Sequence, residues 1–574
     1  MSSMEQGAYD THEVTNQPPD FAPYDPWACD IALREAVARE GADAFAPHLQ
    51  AYARIAGDVL YRLSWDAHRD RPRLRTHDRF GARIDVVEFH PAYHEVMRSA
   101  VAHGVAGLSW APQHWSPQAV SRQPVSQQNL PQPATGAHVA RAALSFLHHQ
   151  VEPGSSCPLT MTHAAVPALR REASLSAWAD KAAAATYDPR DVPMADKAGV
   201  TLGMGMTEKQ GGSDVRSNRT TATPLPGGDV YSLVGHKWFF SAPMSDGFLV
   251  LAQAPGGLSC FLMPRRLPDG GKNDLRIMRL KDKLGDWSNA SSEVEFVGAR
   301  AWRVGGEGRG IAVILDMVML TRLDCMLGSA AEMRMALLQA LHHCRHRVAF
   351  GHRLIEQPLM RNVLADLALE SEAATAFALR VAGAVDRAGS DPREAGFARI
   401  ATAIGKYWIC KRAPAFVNEA QECLGGAGYV EESLMPRLYR QAPLNSIWEG
   451  SGNIQCLDVL RALQREPASL DALRDELAQT GGRDPHCDAW TARLMGDVDA
   501  LRSADAMAVQ AGARLLVERL ALALQAATLL RAGSPLAADF CRSRLGGGHG
   551  AVYGTLPAMF DFERCLSRAG GDAH

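Results

Sequence analysis

Apolar residues recur at helical spacing from about Asp30 onward, first in IALREAVAREGADAF, then in HLQAYARIAGDVLYRLSWDAHR and PAYHEVMRSAVAHG. A further helix is predicted from about His138 to Val151 and others near 163–185, so the first 190 or so residues read as mostly α. Before them, residues 1–30 are rich in Pro, Asp and Asn and read as an extended arm, and residues 115–135 read as a Pro/Gln/Ser loop. The pattern changes at Gly199. From there to about Val304 the segments are short and β-patterned (VTLGMGMT, DVYSLVGHKWFFS, GFLVLAQ, LSCFLMP, SSEVEFVG), with Gly, Pro, Asn and Asp turns between them. They predict a small antiparallel β-domain or barrel. Helical spacing returns over 311–345, 358–388 and 395–424, which suits a bundle. Residues 465–482 read as a looser linker and about 486–545 as a last helical block before the flexible GGGHG stretch and a short terminal helix. The expected fold class is mostly α with a central β-domain. The domains are an arm (1–30), a helical domain (31–197), a β-domain (198–310), a helical bundle (311–463) and a helical C-terminal domain (464–574).

Size and composition narrow the class. A chain of 574 residues is too long for one core. No apolar run is long enough to span a bilayer, so no membrane partner is expected. The N-terminal MSSMEQGAYDTHEV lacks a basic n-region and an apolar h-region, so no signal peptide is expected. A formal net charge of −3 gives no global attraction to nucleic acid. Eleven scattered cysteines without a Cys-x-x-Cys pair suggest reduced thiols in a cytoplasmic protein.

The chemistry concentrates in Asn445–Gln455, NSIWEGSGNIQ. Glu449 lies between Trp448 and a Gly450-Ser451-Gly452 turn, ahead of a helical run that Ser451 or Asn453 can cap. A partly desolvated carboxylate beside an aromatic ring has the raised pKa of a general base; a solvated loop glutamate is the ordinary alternative. Upstream, MTEKQGGSDV brings Met206, Thr207 and Ser213 around two glycines, a loop able to lay donors against a flat, acceptor-rich ring or a phosphate. GHKWFFS then offers Phe239, Phe240 and Ser241, which also fit a buried strand. In RVAFG, Arg347 presents a guanidinium suited to a pyrophosphate. ECLGGAG, with Glu422, Gly425 and Gly426, looks like a helix C-terminus. His342 and His346 are one helical turn apart, but no carboxylate lies close in sequence, so no metal site is expected.

Taken together, TEKQGGSDV, GHKWFFS, RVAFG and SIWEGSGNIQ, in that order, resemble the acyl-CoA dehydrogenase family. The match is closer to its AidB-type alkylation-response branch, through the NQPP arm, GSSCPLTMTHAA, LKDKLGDWSNAS, TRLDCMLGS and the C-terminal extension. The resemblance implies non-covalent FAD between β-domain and bundle, and a homotetramer. It implies a duplex-DNA-binding C-terminal domain and a role in protecting DNA from alkylation, with weak acyl-CoA dehydrogenase activity. Glu449 would be the catalytic base. The flavin would be held by Met206, Thr207, Ser213, Phe239, Phe240, Ser241, Glu422, Gly425, Gly426, Asn445, Trp448, Gly450, Ser451 and Asn453, with Arg347 and Phe350 reaching it from a neighbouring subunit. Arg322 and Trp448 would meet an acyl-CoA substrate.

Four positions depart from the ordinary dehydrogenase pattern. Lys209-Gln210 replaces Pro-x, Trp448 replaces tyrosine, Glu422 replaces glutamine, and Met319 takes the place of an aspartate three residues before Arg322. The last argues against tight CoA binding. Residues 464–574 hold twelve arginines, no lysine and fourteen acidic residues, so DNA affinity requires arginines gathered on one face. Arg514, Arg519, Arg531, Arg542 and Arg544, supported by His549, are the candidates. A metabolic short- or branched-chain acyl-CoA dehydrogenase with an extension that serves only assembly is the alternative.

Overall fold

The computed structural model describes residues 11–115, 136–227, 229–501 and 503–570. The predicted 115–135 loop and the first third of the arm lie almost wholly outside them. The three bundle helices are Gly310–His346, Pro358–Arg387 and Pro392–Glu422, each within about three residues of its predicted span. Proline opens the second and third, where its missing N–H costs nothing. The first is apolar nearly all round and is buried from Leu320 to Cys344. Helices Ala137–Val151 and Pro153–Leu169 pack against it to close the α-core.

The N-terminal region is not wholly α. A hairpin, β1 (Arg73–His77) and β2 (Arg83–Glu88), interrupts it. RLRTH and RIDVVE alternate charge with half-buried residues, which is strand spacing. The β-domain comprises β3 (Leu202–Gly205), β4 (Thr221–Pro224), β5 (Val230–Ser241), β6 (Gly247–Ala254), β7 (Gly257–Pro264), β8 (Leu275–Leu280) and β9 (Ser291–Val304). The sheet runs β3-β6-β4-β5-β9-β7 with β8 on β9, and β6 pairs with β7 to close it. The antiparallel expectation fails at β6, which is parallel to both β3 and β4.

One irregularity in this sheet sets up the site. Lys237 pairs with Val294 and Phe240 with Ser292, so three steps along β5 face two along β9. This bulge turns both Lys237 and Phe240 inward and both Trp238 and Phe239 outward. Inside, the Lys237 ammonium meets the Glu208 carboxylate at 2.8 Å, both side chains fully buried. The carboxylate also accepts from the Arg219 and Thr220 amides at 2.7 and 3.1 Å, and Lys237 donates to the Leu251 carbonyl at 2.8 Å. These bonds hold Glu208 ionised, at a pKa of about 2, against the burial that opposes it.

The C-terminal region continues the bundle. The predicted linker contains the helix Pro467–Ala478, whose Leu470, Leu473 and Leu477 are buried. Helices Pro485–Ala500 and Ala506–Ala532 follow. GGGHG is pinned: His549 Nε2 lies 2.9 Å from Asp366.

Four substitutions test these charges. Removing one partner of a buried pair costs about 3–5 kcal/mol, because it strands the other. Lys237→Met is therefore expected to destabilise strongly, and Glu208→Gln with Lys237→Met by less than the sum of the single changes; strictly additive values in denaturant unfolding contradict this. Arg544, 5% exposed and paired with Asp366 and Glu370, is expected to behave likewise on change to Met. Arg519→Met, at an exposed pair with Asp497, is expected to cost less than about 1 kcal/mol. Equal melting-temperature shifts at the two arginines would refute the distinction.

Candidate active site

Glu449 sits in a loop between the short helix Leu444–Ile447 and the helix Gly452–Arg465. Its φ is +56°, a left-handed conformation uncommon for a residue with a side chain and costing on the order of 1 kcal/mol or more. Donors from three helices hold it there. Lys406 Nζ, from Pro392–Glu422, donates to the Trp448 and Gly450 carbonyls at 2.8 and 2.5 Å. Arg322 Nε, from Gly310–His346, donates to the Glu449 carbonyl at 3.2 Å. Gln455 Nε2 donates to the Glu449 and Gly450 carbonyls at 3.1 and 2.9 Å. Gly450 has φ +93°, and a Cβ there would fall 2.6 Å from Gln455 Nε2, so only glycine fits.

The Glu449 carboxylate accepts from Thr321 Oγ1 at 2.6 Å. Burial raises its pKa above the ordinary carboxylate value, and the Thr321 hydroxyl, Lys406 and Arg322 offset only part of that rise. A half-buried carboxylate with an elevated pKa is equipped to take a proton. Trp448 is fixed beside it: its indole N–H donates to buried Asn445 Oδ1 at 2.9 Å. Asn445 therefore positions Trp448. Ser451 stands at the N-cap but makes no side-chain capping bond, and exposed Asn453 accepts instead from Arg514 Nε at 2.9 Å. Neither residue caps the helix as expected.

Arg322 differs from its expected role. It is 8% exposed, and Nη1 is paired with Asp458 at 2.7 Å while Nε holds the Glu449 carbonyl. It is committed to the loop rather than presented to a substrate.

The flavin-side residues form one unit. The Thr207 carbonyl accepts from the Trp238 amide at 2.8 Å, the Lys209 amide donates to His236 at 3.0 Å, and Asn218 Nδ2 donates to the Met206 carbonyl at 2.9 Å. Together with the Glu208–Lys237 pair, these bonds fasten the 206–213 loop to β5. Phe239 is half-exposed, Ser213 is exposed, and Ser241 lies 3.4 Å from Ser291. Phe240 is the exception. The bulge puts its ring in the barrel core against Phe248, with centroids 4.4 Å apart, so its side chain lines nothing. A Cβ on Gly212 would collide with the Thr207 hydroxyl, so glycine keeps that hydroxyl in place. An outward ring bordered by hydroxyls and a glycine turn fits a flat, acceptor-rich isoalloxazine. Met206 and Trp448 pack on the same apolar cluster, which includes Met161, Met317 and Leu320, so the flavin-side loop and the glutamate loop converge there.

A second group lies far away. Arg347 follows the end of the helix Gly310–His346, and Glu422 ends Pro392–Glu422. Along the first helix, the 26 residues from Thr321 to Arg347 span about 39 Å. Arg347 Nη1 donates to the Asn16 carbonyl at 2.6 Å, and Glu422 accepts from Asn418 at 3.2 Å. Phe350 is 95% exposed, and Gly425 and Gly426 have open space around them. One chain does not bring these five residues to the Glu449 site.

Of the DNA candidates, Arg544 and His549 face inward onto Asp366, and Arg531 pairs with buried Glu476. All three tie the C-terminal helices to the core. Arg519 makes a surface pair with Asp497, half-exposed Arg542 pairs with buried Asp539, and exposed Arg514 has only a neutral partner, Asn453, among the described residues.

Sequence reasoning missed Thr321, Lys406, Gln455 and Trp238. Lys406 alone carried a signal, as the one charge in the apolar helical run IATAIGKYWIC. Among the described residues, no group of three or more His, Cys, Asp or Glu is arranged to hold a metal, and no helix is long and apolar enough to cross a membrane.

Three domain families match in series. They are the adaptive response protein AidB N-terminal domain (16–189), the acyl-CoA dehydrogenase middle domain (203–299) and the acyl-CoA dehydrogenase C-terminal domain (308–464). AidB of Escherichia coli (strain K12) is 45% identical over 540 residues, covering 94% of this chain and 95% of that protein. Acyl-CoA dehydrogenase family member 11 of Caenorhabditis elegans is 30% identical over 454 residues, covering 75% and 70%. The crystal structure of Caenorhabditis elegans ACDH-11 in complex with C11-CoA superposes with a TM-score of 0.80 at 25% identity, covering 94% of this chain and 93% of that one. The chain belongs to the acyl-CoA dehydrogenase family of FAD-dependent oxidoreductases.

Proposed function

We propose that the chain is an AidB-like flavoprotein that dehydrogenates acyl thioesters slowly and associates with duplex DNA to protect it from alkylation. The observation that carries the first half is the setting of Glu449, a half-buried carboxylate with a raised pKa whose neighbour Trp448 packs on the same apolar cluster as Met206 of the flavin-side loop. Glu449 takes the proton α to the thioester carbonyl. FAD, when bound, supplies the acceptor for the β-hydride. Trp448 and the apolar cluster exclude water and orient the acyl chain. The ACDH-11 complex with C11-CoA supports an acyl-CoA as the substrate class.

Arg347, Phe350, Glu422, Gly425 and Gly426 have a role in this reading only if a second copy brings them to the flavin. That favours a closed homo-oligomer, in the family's pattern a tetramer. The exposed Phe350, Leu359 and Tyr429 side chains suit such an interface. The DNA half rests on the similarity to AidB across 94% of the chain and on Arg514 and Arg519, whose exposed partners are cheaply exchanged for phosphates, with half-exposed Arg542 as a third cation. The inward ion pairs of Arg531 and Arg544 favour the metabolic alternative, in which the extension only braces the bundle.

Glu449→Gln keeps the side-chain shape and deletes the base. FAD content is expected to hold while turnover of an acyl-CoA panel falls at least about a thousandfold; turnover within tenfold of wild type would assign the base elsewhere. For DNA, reversing Arg514, Arg519 and Arg542 to glutamate is expected to weaken duplex binding and flatten log K against log salt by roughly 2–3. Unchanged binding rejects those arginines, and no binding by the parent at low salt leaves the metabolic reading.

A further inference from the structure

We infer that Lys406 is a positioning residue for the catalytic base: it fixes the backbone on both sides of Glu449 and holds a cation beneath the carboxylate loop. This rests on Glu449 being the base. Lys406 is 1% exposed, in an otherwise apolar stretch of the helix Pro392–Glu422. Its Nζ donates to two carbonyls, those of Trp448 and Gly450, and forms no ion pair among the described residues. A buried ammonium without a carboxylate partner is costly, so a structural purpose alone explains it poorly. The two carbonyls it grips flank the one residue in the loop that has a side chain and a left-handed φ.

The clamp does two things at once. It ties Trp448 O and Gly450 O to a single point, which fixes the peptide planes on either side of Glu449, whose carboxylate accepts from Thr321. It also keeps a positive charge close enough to offset part of the burial that raises the carboxyl. The other groups around Glu449 do not duplicate this. Thr321 is neutral, and Arg322 is shared with Asp458, which Arg399 also engages. Cys157 and Cys325 are thiols that burial pushes up, so they stay neutral. Gln455 grips Glu449 O and Gly450 O without charge. Lys406 and Gln455 therefore share the geometric task, and of the two only Lys406 adds charge, beside the Arg322 guanidinium that Asp458 partly neutralises.

That division gives the test. Lys406→Met, Lys406→Gln and Gln455→Met are made in the full-length holoprotein, and flavin reduction by an acyl-CoA is followed anaerobically across pH. All three are expected to slow the step about tenfold or more by loosening the base, with KM little changed. Only the two Lys406 variants are expected to move the acidic limb to higher pH. Loss of the cation raises the Glu449 carboxyl, and a base works only above its pKa. The 2.5 Å bond to Gly450 makes misfolding a concern for the methionine variant; Lys406→Gln keeps a donor there, and flavin content and melting temperature identify the folded variants. Lys406 variants with wild-type rate and limb overturn the inference, as does a limb shift of equal size in Gln455→Met. A Glu449→Gln control that stays active sinks the underlying base assignment; a dead control beside unaffected Lys406 variants sinks only the role of Lys406.

Discussion

The site depends on three backbone carbonyls. Residues 448–450 turn sharply enough to force a glutamate into left-handed backbone, and Lys406, Arg322 and Gln455 satisfy every carbonyl the turn exposes. Each donor comes from a different long helix, so the base is aimed by the bundle and not by its own loop. This explains why a chain that spends so much helix on its core carries its chemistry in a four-residue turn. Strain in the turn is tolerated because the surroundings over-determine it.

The β-domain solves the complementary problem. A flat cofactor needs an outward aromatic face and fixed polar groups, yet strand alternation would bury every second residue. The bulge at Lys237–Phe240 puts two consecutive aromatic residues outward, and the Glu208–Lys237 pair locks the glycine loop against the same strand. The Trp238 face is then ringed by cations: Lys281 Nζ lies 3.4 Å from its centroid and Lys209 5.6 Å. Sheet and bundle meet at one apolar cluster, where Met206 and Trp448 both pack.

Periodicity made the long helices and most strands legible, and the WEGSG turn singled out Glu449 as the candidate base. Long-range pairing was not legible. Lys406 reads as a solvated or snorkelling lysine until the chain folds back and places carbonyls more than forty residues away over its ammonium. HKWFFS gives no hint of the bulge, so Phe240 reads like Phe239, although one is core and the other half-exposed. Arg544 reads as a free cation beside glycines, because its acidic partners, Asp366 and Glu370, lie on a helix in another domain. Residues 465–482 read as a linker because their polar residues mask Leu470, Leu473 and Leu477 on one face.

In the proposed reaction Glu449, held by this clamp, removes a proton α to a thioester carbonyl. Proton exchange reads that event without waiting for turnover. With a saturated acyl-CoA in D2O, the holoprotein is expected to incorporate deuterium at the α-carbon, seen by NMR, at a rate that rises with pH through the elevated Glu449 pKa. Glu449→Gln, with its flavin retained, is expected to incorporate none above the uncatalysed background. Absence of exchange in the wild type, or exchange undiminished in Glu449→Gln, would contradict the account.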